Sequence, residues 1–237
     1  MEIYNEIEIF DLCLHLKKHK TLILADLHLG YEESLNKRGV LVPRIQFNEI
    51  YDRLNRILSD LKLDTIVVTG DLKHEFGAIS DSGWKNILKI IDLFLKHCKK
   101  LVIIKGNHDV TLPFITRKRN IELMEYFRVG DIFICHGDKT FDSEDFKESK
   151  VIIMGHEHPA VSLKDKIKYE NFKCFLKGKY LEKILIVLPS FNPLTIGTDV
   201  LRGRLLSPFL QQDLSNFEAY IVEGEKVYNF GKLGNVS

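Results

Sequence analysis

Five short apolar runs in this chain each stop at a cluster of Asp, His or Asn, and that repeated ending constrains the fold more than any other feature. Thr21–Ala25 (TLILA) runs into Asp26-Leu27-His28, and Thr65–Thr69 (TIVVT) into Gly70-Asp71-Leu72-Lys73-His74. Leu101–Lys105 (LVIIK) precedes Gly106-Asn107-His108-Asp109, Asp131–Cys135 (DIFIC) precedes His136-Gly137-Asp138, and Val151–Met154 (VIIM) precedes Gly155-His156-Glu157-His158. Ile- and Val-rich runs of this length, bounded by Gly, Asp, His or Pro, read as buried strands. A sixth run, Lys183–Leu188 (KILIVL), stops at Pro189. In open α/β sheets ligands collect at the C-terminal strand ends. Of nine histidines, five fall in these loops, with His74 a sixth, so chemistry is expected there.

The segments between the runs set the fold class. Pro43 can open a helix at its first turn, and Ile50, Leu54, Ile57, Leu58 and Leu61 then share one face. A second helix after Ser82 turns Trp84, Ile87, Leu88, Ile91, Phe94 and Leu95 inward. Its closing His97, Lys99 and Lys100 complement the negative helix end. Strand–helix alternation predicts parallel strands with crossovers. The last third differs: residues 159–188 and 218–230 read as strands and hairpins, with Gly224 in the final turn. The expected architecture is an α/β fold, a two-sheet β-sandwich core flanked by helices, forming a single domain over residues 1–237.

Composition excludes some classes. The 237 residues are 45% apolar and 28% charged with a net charge of +1, so no global basic field favours nucleic acid. No apolar run approaches the roughly 20 residues that span a bilayer. The start MEIYNEIEIF, acidic and alternating, does not read as a signal peptide. Four scattered cysteines (Cys13, Cys98, Cys135, Cys174) form no CxxC pair and read as reduced core thiols. A soluble cytoplasmic protein without membrane association is expected.

Taken singly, each loop is an ordinary polar turn. Five turns favouring metal-binding residues in this order is not ordinary, and the set predicts a binuclear metal centre. His156 and His158 sharpen it. Gly155 and Pro159 keep them off a helix, and in an extended loop residues two apart lie roughly 6–7 Å from one another. That suits two ions about 3.5–4 Å apart better than one ion. Cys135 alternates to the opposite strand face and is not expected as a ligand.

The ordered set Asp-x-His, Gly-Asp-x-x-His, Gly-Asn-His-Asp, His-Gly-Asp and Gly-His-x-His resembles the calcineurin-like metallophosphoesterases. The resemblance implies a four-layer α/β/β/α fold in which Asp26, His28 and His158 bind one ion, Asn107, His136 and His156 bind a second, and Asp71 bridges them. It agrees with His108 as general acid in phosphate-ester hydrolysis; Asp109, next to it, is expected to orient the imidazole and help hold its charged form, a plain turn residue being the alternative. His74 resembles the closing residue of the GDxxH motif of the SbcD-type repair nucleases, a candidate phosphate contact outside the metal shell. The strings GDLKHEFG, GHEHPA and LPSFNPLTIG resemble a narrower branch, the archaeal counterparts of the bacterial ligase-associated DNA-damage endonucleases. That similarity implies a phosphodiester substrate, with DNA a candidate, and manganese.

The chemistry agrees with the residue types. Metal binding lowers the pKa of bound water toward about 7, so a nucleophile is available at neutral pH. A mixed O/N set without thiolate suits Mn, Fe, Zn or Ni. Arg117-Lys118-Arg119 and Arg202-Gly203-Arg204 are candidate contacts for flanking phosphates, and LKKHK at 16–20 reads as a hairpin tip. Tyr31, Phe76 and Phe191 lie near the motif loops as site or core residues. Two rivals stay open: a phosphoesterase for cyclic nucleotides or phosphomonoesters, and a non-catalytic scaffold.

Overall fold

The computed structural model describes residues 1–74, 81–109, 112–116, 119, 121, 123–165 and 168–235. Two mixed sheets organise them. The first runs, in spatial order, β1 (Glu2–Tyr4), β2 (Ile7–Phe10), β3 (Cys13–Leu16), β4 (Thr21–Leu24), β5 (Thr65–Val68), β6 (Lys100–Ile104) and β7 (Leu123–Met124). Hairpins make β1 to β4 antiparallel, and crossovers make β4 to β7 parallel. The second sheet contains β8 (Tyr126–Val129), β9 (Ile132–Cys135), β10 (Val151–Met154), β11 (Pro159–Asp165), β12 (Lys168–Tyr180), β13 (Lys183–Val187), β14 (Thr198–Asp199), β15 (Glu218–Glu223) and β16 (Lys226–Lys232). Its order is β14-β11-β12-β13-β10-β9-β8, with β15 on β12 and β16 outermost. At its centre β9, β10 and β13 are parallel.

The two-residue period of a strand decides which layer each side chain joins. Ile132, Ile134, Val151, Ile153 and Ile186 enter the core shared with the first sheet, whereas Phe133, Cys135, Ile152, Met154, Leu185 and Val187 face the other way. The strands β4, β5 and β6 are buried on both faces, as continuous Ile/Val runs require.

Among the described residues five α-helices lie outside the sheets: α1 (Tyr31–Lys37), α2 (Gln46–Ser59), α3 (Asp81–His97), α4 (Pro113–Thr116) and α5 (Glu144–Glu148). The predicted face of α2 is buried at Ile50, Leu54, Ile57 and Leu58. Its start moves from Pro43 to Gln46, because Glu32 Oε2 accepts the Gln46 N–H at 2.9 Å and fixes the helix end there. The expected stripe of α3 faces inward at Ile87, Ile91 and Phe94, with Trp84 and Leu88 packed against the core, and it is wider than expected on one side. It meets both α2 and β6, so Ile90 and Leu93 are buried while Leu95 is 38% exposed. On the far side the second sheet is covered by α5 through Phe146, by the turn Pro208–Leu210 and by Leu214 and Phe217, so that outer layer is mostly coil. The final hairpin turns at Gly224 with φ +60°.

The four cysteines are free, with Cys13, Cys135 and Cys174 buried. No described helix is long and apolar enough to cross a membrane.

Candidate metal centre

The motif loops leave the C-terminal ends of β4, β5, β6, β9 and β10, and the backbone holds them before any side chain acts. Pairing between β4 and β5 continues beyond the strands: Asp26 N–H donates to Gly70 O at 3.3 Å, His28 N–H to Asp71 O at 2.9 Å and Leu29 N–H to Leu72 O at 3.0 Å. Asp26, His28, Asp71, His156 and His158 all adopt positive φ, between 44° and 68°. Asp and His tolerate this left-handed region better than most residues, yet such strain costs on the order of 1–3 kcal/mol per residue and persists only where surroundings enforce it. Left-handed residues at alternate positions, 26 and 28 and again 156 and 158, bend the two loops out of the extended path of a strand. Two glycines allow the close approach. A Cβ at Gly155 would lie 2.6 Å from Asp26 Oδ2, and one at Gly106 would lie 2.2 Å from Asp71 Oδ1.

Among the described residues the side chains meet in three groups, one of them the imidazoles of His28, His74 and His108 alone and two that contain a carboxylate. Asp26, His28 and His158 form one of these two and Asp71, His136 and His156 the other, each with candidate ligand atoms within 4.8 Å of one another. His28 Nε2 and His158 Nε2 are 3.2 Å apart, and His156 Nδ1 lies 3.1 Å from His136 Nε2. Asp71 Oδ2 sits between the two carboxylate-bearing groups, 3.7 Å from His28 Nε2 and 3.6 Å from His136 Nε2. Asn107 is brought in at the rim, its Oδ1 3.0 Å from His136 Nε2. His136 Nδ1–H donates to Thr69 O at 2.8 Å, which leaves the Nε2 lone pair aimed at the centre. All seven residues expected as ligands therefore share one site.

Its electrostatics call for a cation. Burial, then Asp26 and Asp109, push Asp71 up to about 9. Burial holds His28 well below the usual histidine range, and burial with His136 takes His156 down to about 4. Although burial opposes it, the imidazoles of His158, His136 and His28 keep Asp26 below the usual carboxylate range. Asp26 Oδ1 is buried without a hydrogen-bond partner. Imidazoles with lowered pKa at His28 and His156, beside an Asp71 carboxyl that resists ionisation, belong to a mixed O/N donor set suited to divalent ions.

His108 borders the centre. Its backbone N–H donates to Asp71 Oδ1 at 2.9 Å, its ring Nδ1 lies 2.5 Å from His74 O, and Nε2 is 3.9 Å from Asp71 Oδ2. The expected role of Asp109 is corrected. Its oxygens accept the Gly106 N–H at 3.0 Å and the Lys73 N–H at 3.4 Å. It staples two loops together, and the His74 carbonyl holds the imidazole instead. The His74 ring stacks on His108 at 5.4 Å and meets Tyr31 edge-on at 4.5 Å.

Other residues around the site carried no obvious sequence signal. Ser190 Oγ–H donates to Asp26 O at 2.7 Å. Glu157, between the two histidines, accepts the Leu206 and Ser207 N–H groups at 2.8 Å each. Gln46 donates its side-chain amide to His28 O at 2.9 Å. Among the basic stretches, Arg119 pairs with Asp92 at 2.7 Å, Arg202 and Arg204 are exposed, and residues 117–118 lie outside the described residues, as does Phe76. Phe191 is core.

Two sheets whose edges meet at a His/Asp donor cluster define a metallophosphoesterase fold. The signature of the calcineurin-like phosphoesterases matches residues 19–192, and the chain belongs to that family. The family implies divalent metal ions, and the two His/Asp groups are candidate sites for them; the chain is a metal-dependent phosphoester hydrolase. The fold matches the crystal structure of the Pseudomonas putida nuclease MPE with a TM-score of 0.65, at 20% identity over 94% of each chain. A protein of unknown function from Aquifex aeolicus overlaps loosely (TM-score 0.38, 20% identity, 58% of this chain and 78% of that one) and carries no argument. No curated protein matches by sequence.

Proposed function

We propose that this chain is a binuclear-metal phosphodiesterase acting on DNA. Asp26, His28 and His158 would hold one ion, Asn107, His136 and His156 would hold the other, and Asp71 would be shared between them. One observation carries the reading: the near-equal reach of Asp71 Oδ2 to His28 Nε2 (3.7 Å) and His136 Nε2 (3.6 Å), one from each donor group. A shared carboxylate between two groups is what a bridging ligand requires. Manganese is the ion proposed, with iron, zinc or nickel as alternatives for the same O/N set. Bound divalent ions supply positive charge toward a phosphate diester and Lewis acidity toward water.

The chain's own residues do the rest. His108, held through Nδ1 by the His74 carbonyl, turns Nε2 toward the centre, the arrangement a proton donor to the leaving oxygen needs. Burial lowers its pKa, and a bound anionic diester opposes that shift. The His74 ring stacks on the His108 ring, and Tyr31 packs on the His74 ring in turn. Ser190 and Glu157 hold the Asp26 carbonyl and the 206–207 rim. Support for nucleic acid as substrate comes from the matching fold of a protein described as a nuclease.

The test is substrate profiling of metal-loaded protein, with Asp71→Asn as blank. The reading expects bis-p-nitrophenyl phosphate hydrolysed well ahead of p-nitrophenyl phosphate, and single-stranded DNA nicked by the wild type alone. Rapid turnover of a cyclic nucleotide or phosphomonoester with DNA intact would assign the site to small molecules. No hydrolysis with metal bound would make the chain a scaffold.

A further inference from the structure

Residues 30–46 form an arm between β4 and α2 that the proposed chemistry, apart from Tyr31 at its root, does not use. We infer that this arm is a strand-holding surface for the nucleic acid flanking the scissile diester; the inference rests on the DNA reading above. The crossover from β4 to β5 through α2 starts at the sheet edge that carries the motif loops, so the arm is inserted at that edge. Its root is bonded to a proposed ligand. The Gln46 side chain donates to His28 O at 2.9 Å and accepts the Gly30 N–H at 3.2 Å. Tyr31, the first residue of α1, packs on His74.

The arm is built rather than slack. Asn36 Nδ2 donates to Glu32 O at 2.8 Å and to Val42 O at 3.1 Å, and Asn36 Oδ1 accepts the Val42 N–H at 3.4 Å. Those bonds fix a loop that buries little of its own apolar surface: Leu41 is 91% exposed, Val40 51% and Ile45 42%. Adjacent exposed aliphatic residues beside a site mark an interaction surface. Arg38 and Arg44 flank them, both exposed, whereas of the arm's two acids Glu32 is buried against Gln46 and Glu33 is half-buried at the root of α1. Cations around an aliphatic tip match a polyanion with apolar faces. Arginines meet phosphates, and Leu or Ile rests against or between bases. Helix α1 spans about 10 Å, a reach of roughly three base steps at 3.4 Å each.

The experiment uses the full chain, a fluorescein-labelled 20-nucleotide single strand and bis-p-nitrophenyl phosphate. Binding of the strand to metal-free protein is measured across salt. The ratio of kcat/KM on DNA to that on the small diester is measured on loaded enzyme. For Arg38→Ala with Arg44→Ala, binding weakens about tenfold and the salt slope drops by about 1.4, at about 0.7 per phosphate contact on single strands. Leu41→Ser, at a side chain too exposed to support the fold, lowers the ratio about fivefold. Both variants matching wild type in slope and ratio, while wild type nicks DNA, overturns the arm and leaves the enzyme reading intact. Wild type that hydrolyses the small diester but neither binds nor nicks the strand removes the DNA reading itself, and the arm with it. Leu41→Ser changing only the sedimentation of the protein makes the tip a self-association surface and also overturns the inference.

Discussion

The backbone N–H of His156 donates to Asp26 Oδ2 at 2.8 Å across 130 residues of chain, so the last motif loop of one sheet is fixed by the first motif loop of the other. One carboxylate thus serves both as a proposed metal ligand and as a link between sheets, and two substitutions separate the roles. Asp26→Ala removes both and is expected to destabilise the fold by about 1–3 kcal/mol, the cost of a buried N–H left unsatisfied. Asp26→Asn keeps an acceptor for His156 and retains most of that stability, while metal uptake falls in both. Thermal melting beside metal stoichiometry checks this. Equal melting temperatures for the two variants would deny the structural half.

Metal uptake should displace a proton. Asp71, pushed up to about 9 by burial, Asp26 and Asp109, is protonated at pH 7 in the metal-free protein. Its folded pKa exceeds the ordinary value near 4, so the folded state binds the extra proton. The contribution of Asp71 to stability therefore falls as pH rises from about 4 toward 9. Titration of manganese at pH 7 in two buffers of different ionisation enthalpy is expected to release about one proton from Asp71. Metal-free melting temperatures are expected to fall from pH 7 to pH 9, above the range in which the lowered His28, His108 and His156 titrate and would act in the opposite direction, with metal restoring most at pH 9. No proton release and a flat melting profile would contradict this.

His108→Ala is expected to lower kcat on DNA by about 10²–10⁴-fold, the usual contribution of a positioned acid. The loss on bis-p-nitrophenyl phosphate should be much smaller, because its nitrophenolate leaves without a proton. Metal content should not change. Equal losses on both substrates would assign His108 to metal binding or phosphate contact instead of proton donation.

Glu157 shows how the rim depends on the centre. Its carboxylate accepts the Leu206 and Ser207 N–H groups, and Ser207 Oγ–H donates to Gly137 O at 2.7 Å. Glu157→Ala is expected to cost about 2–3 kcal/mol, from hydrogen bonds to a charged acceptor. Hydrogen exchange should rise at residues 206–207. A denaturation midpoint and exchange rates equal to wild type would show that the rim is held otherwise.

The convergence of the seven proposed ligands was legible in sequence because each closes a short apolar strand, and parallel strands deliver their ends to one edge. His156 and His158 needed only their spacing and flanking breakers to be kept off a helix. Less legible were contacts between segments remote in sequence. Ser190 supports Asp26 from 164 residues away, and no local pattern announces such a bond. Asp109 misled because adjacency in Asn-His-Asp suggested contact with the ring. Its buried oxygens instead close the Gly106 and Lys73 amides, while the ring takes a carbonyl from the previous motif. Helix α1 was missed for the same reason: Gln46 and Glu32 set its place, and neither belongs to an apolar repeat.

Anomalous diffraction from crystals soaked in manganese tests the central claim most directly. The account predicts two peaks about 3.5–4 Å apart, one beside Asp26, His28 and His158, the other beside Asn107, His136 and His156, with Asp71 within bonding distance of both. A single peak, or a pair in which Asp71 contacts only one ion, would contradict it.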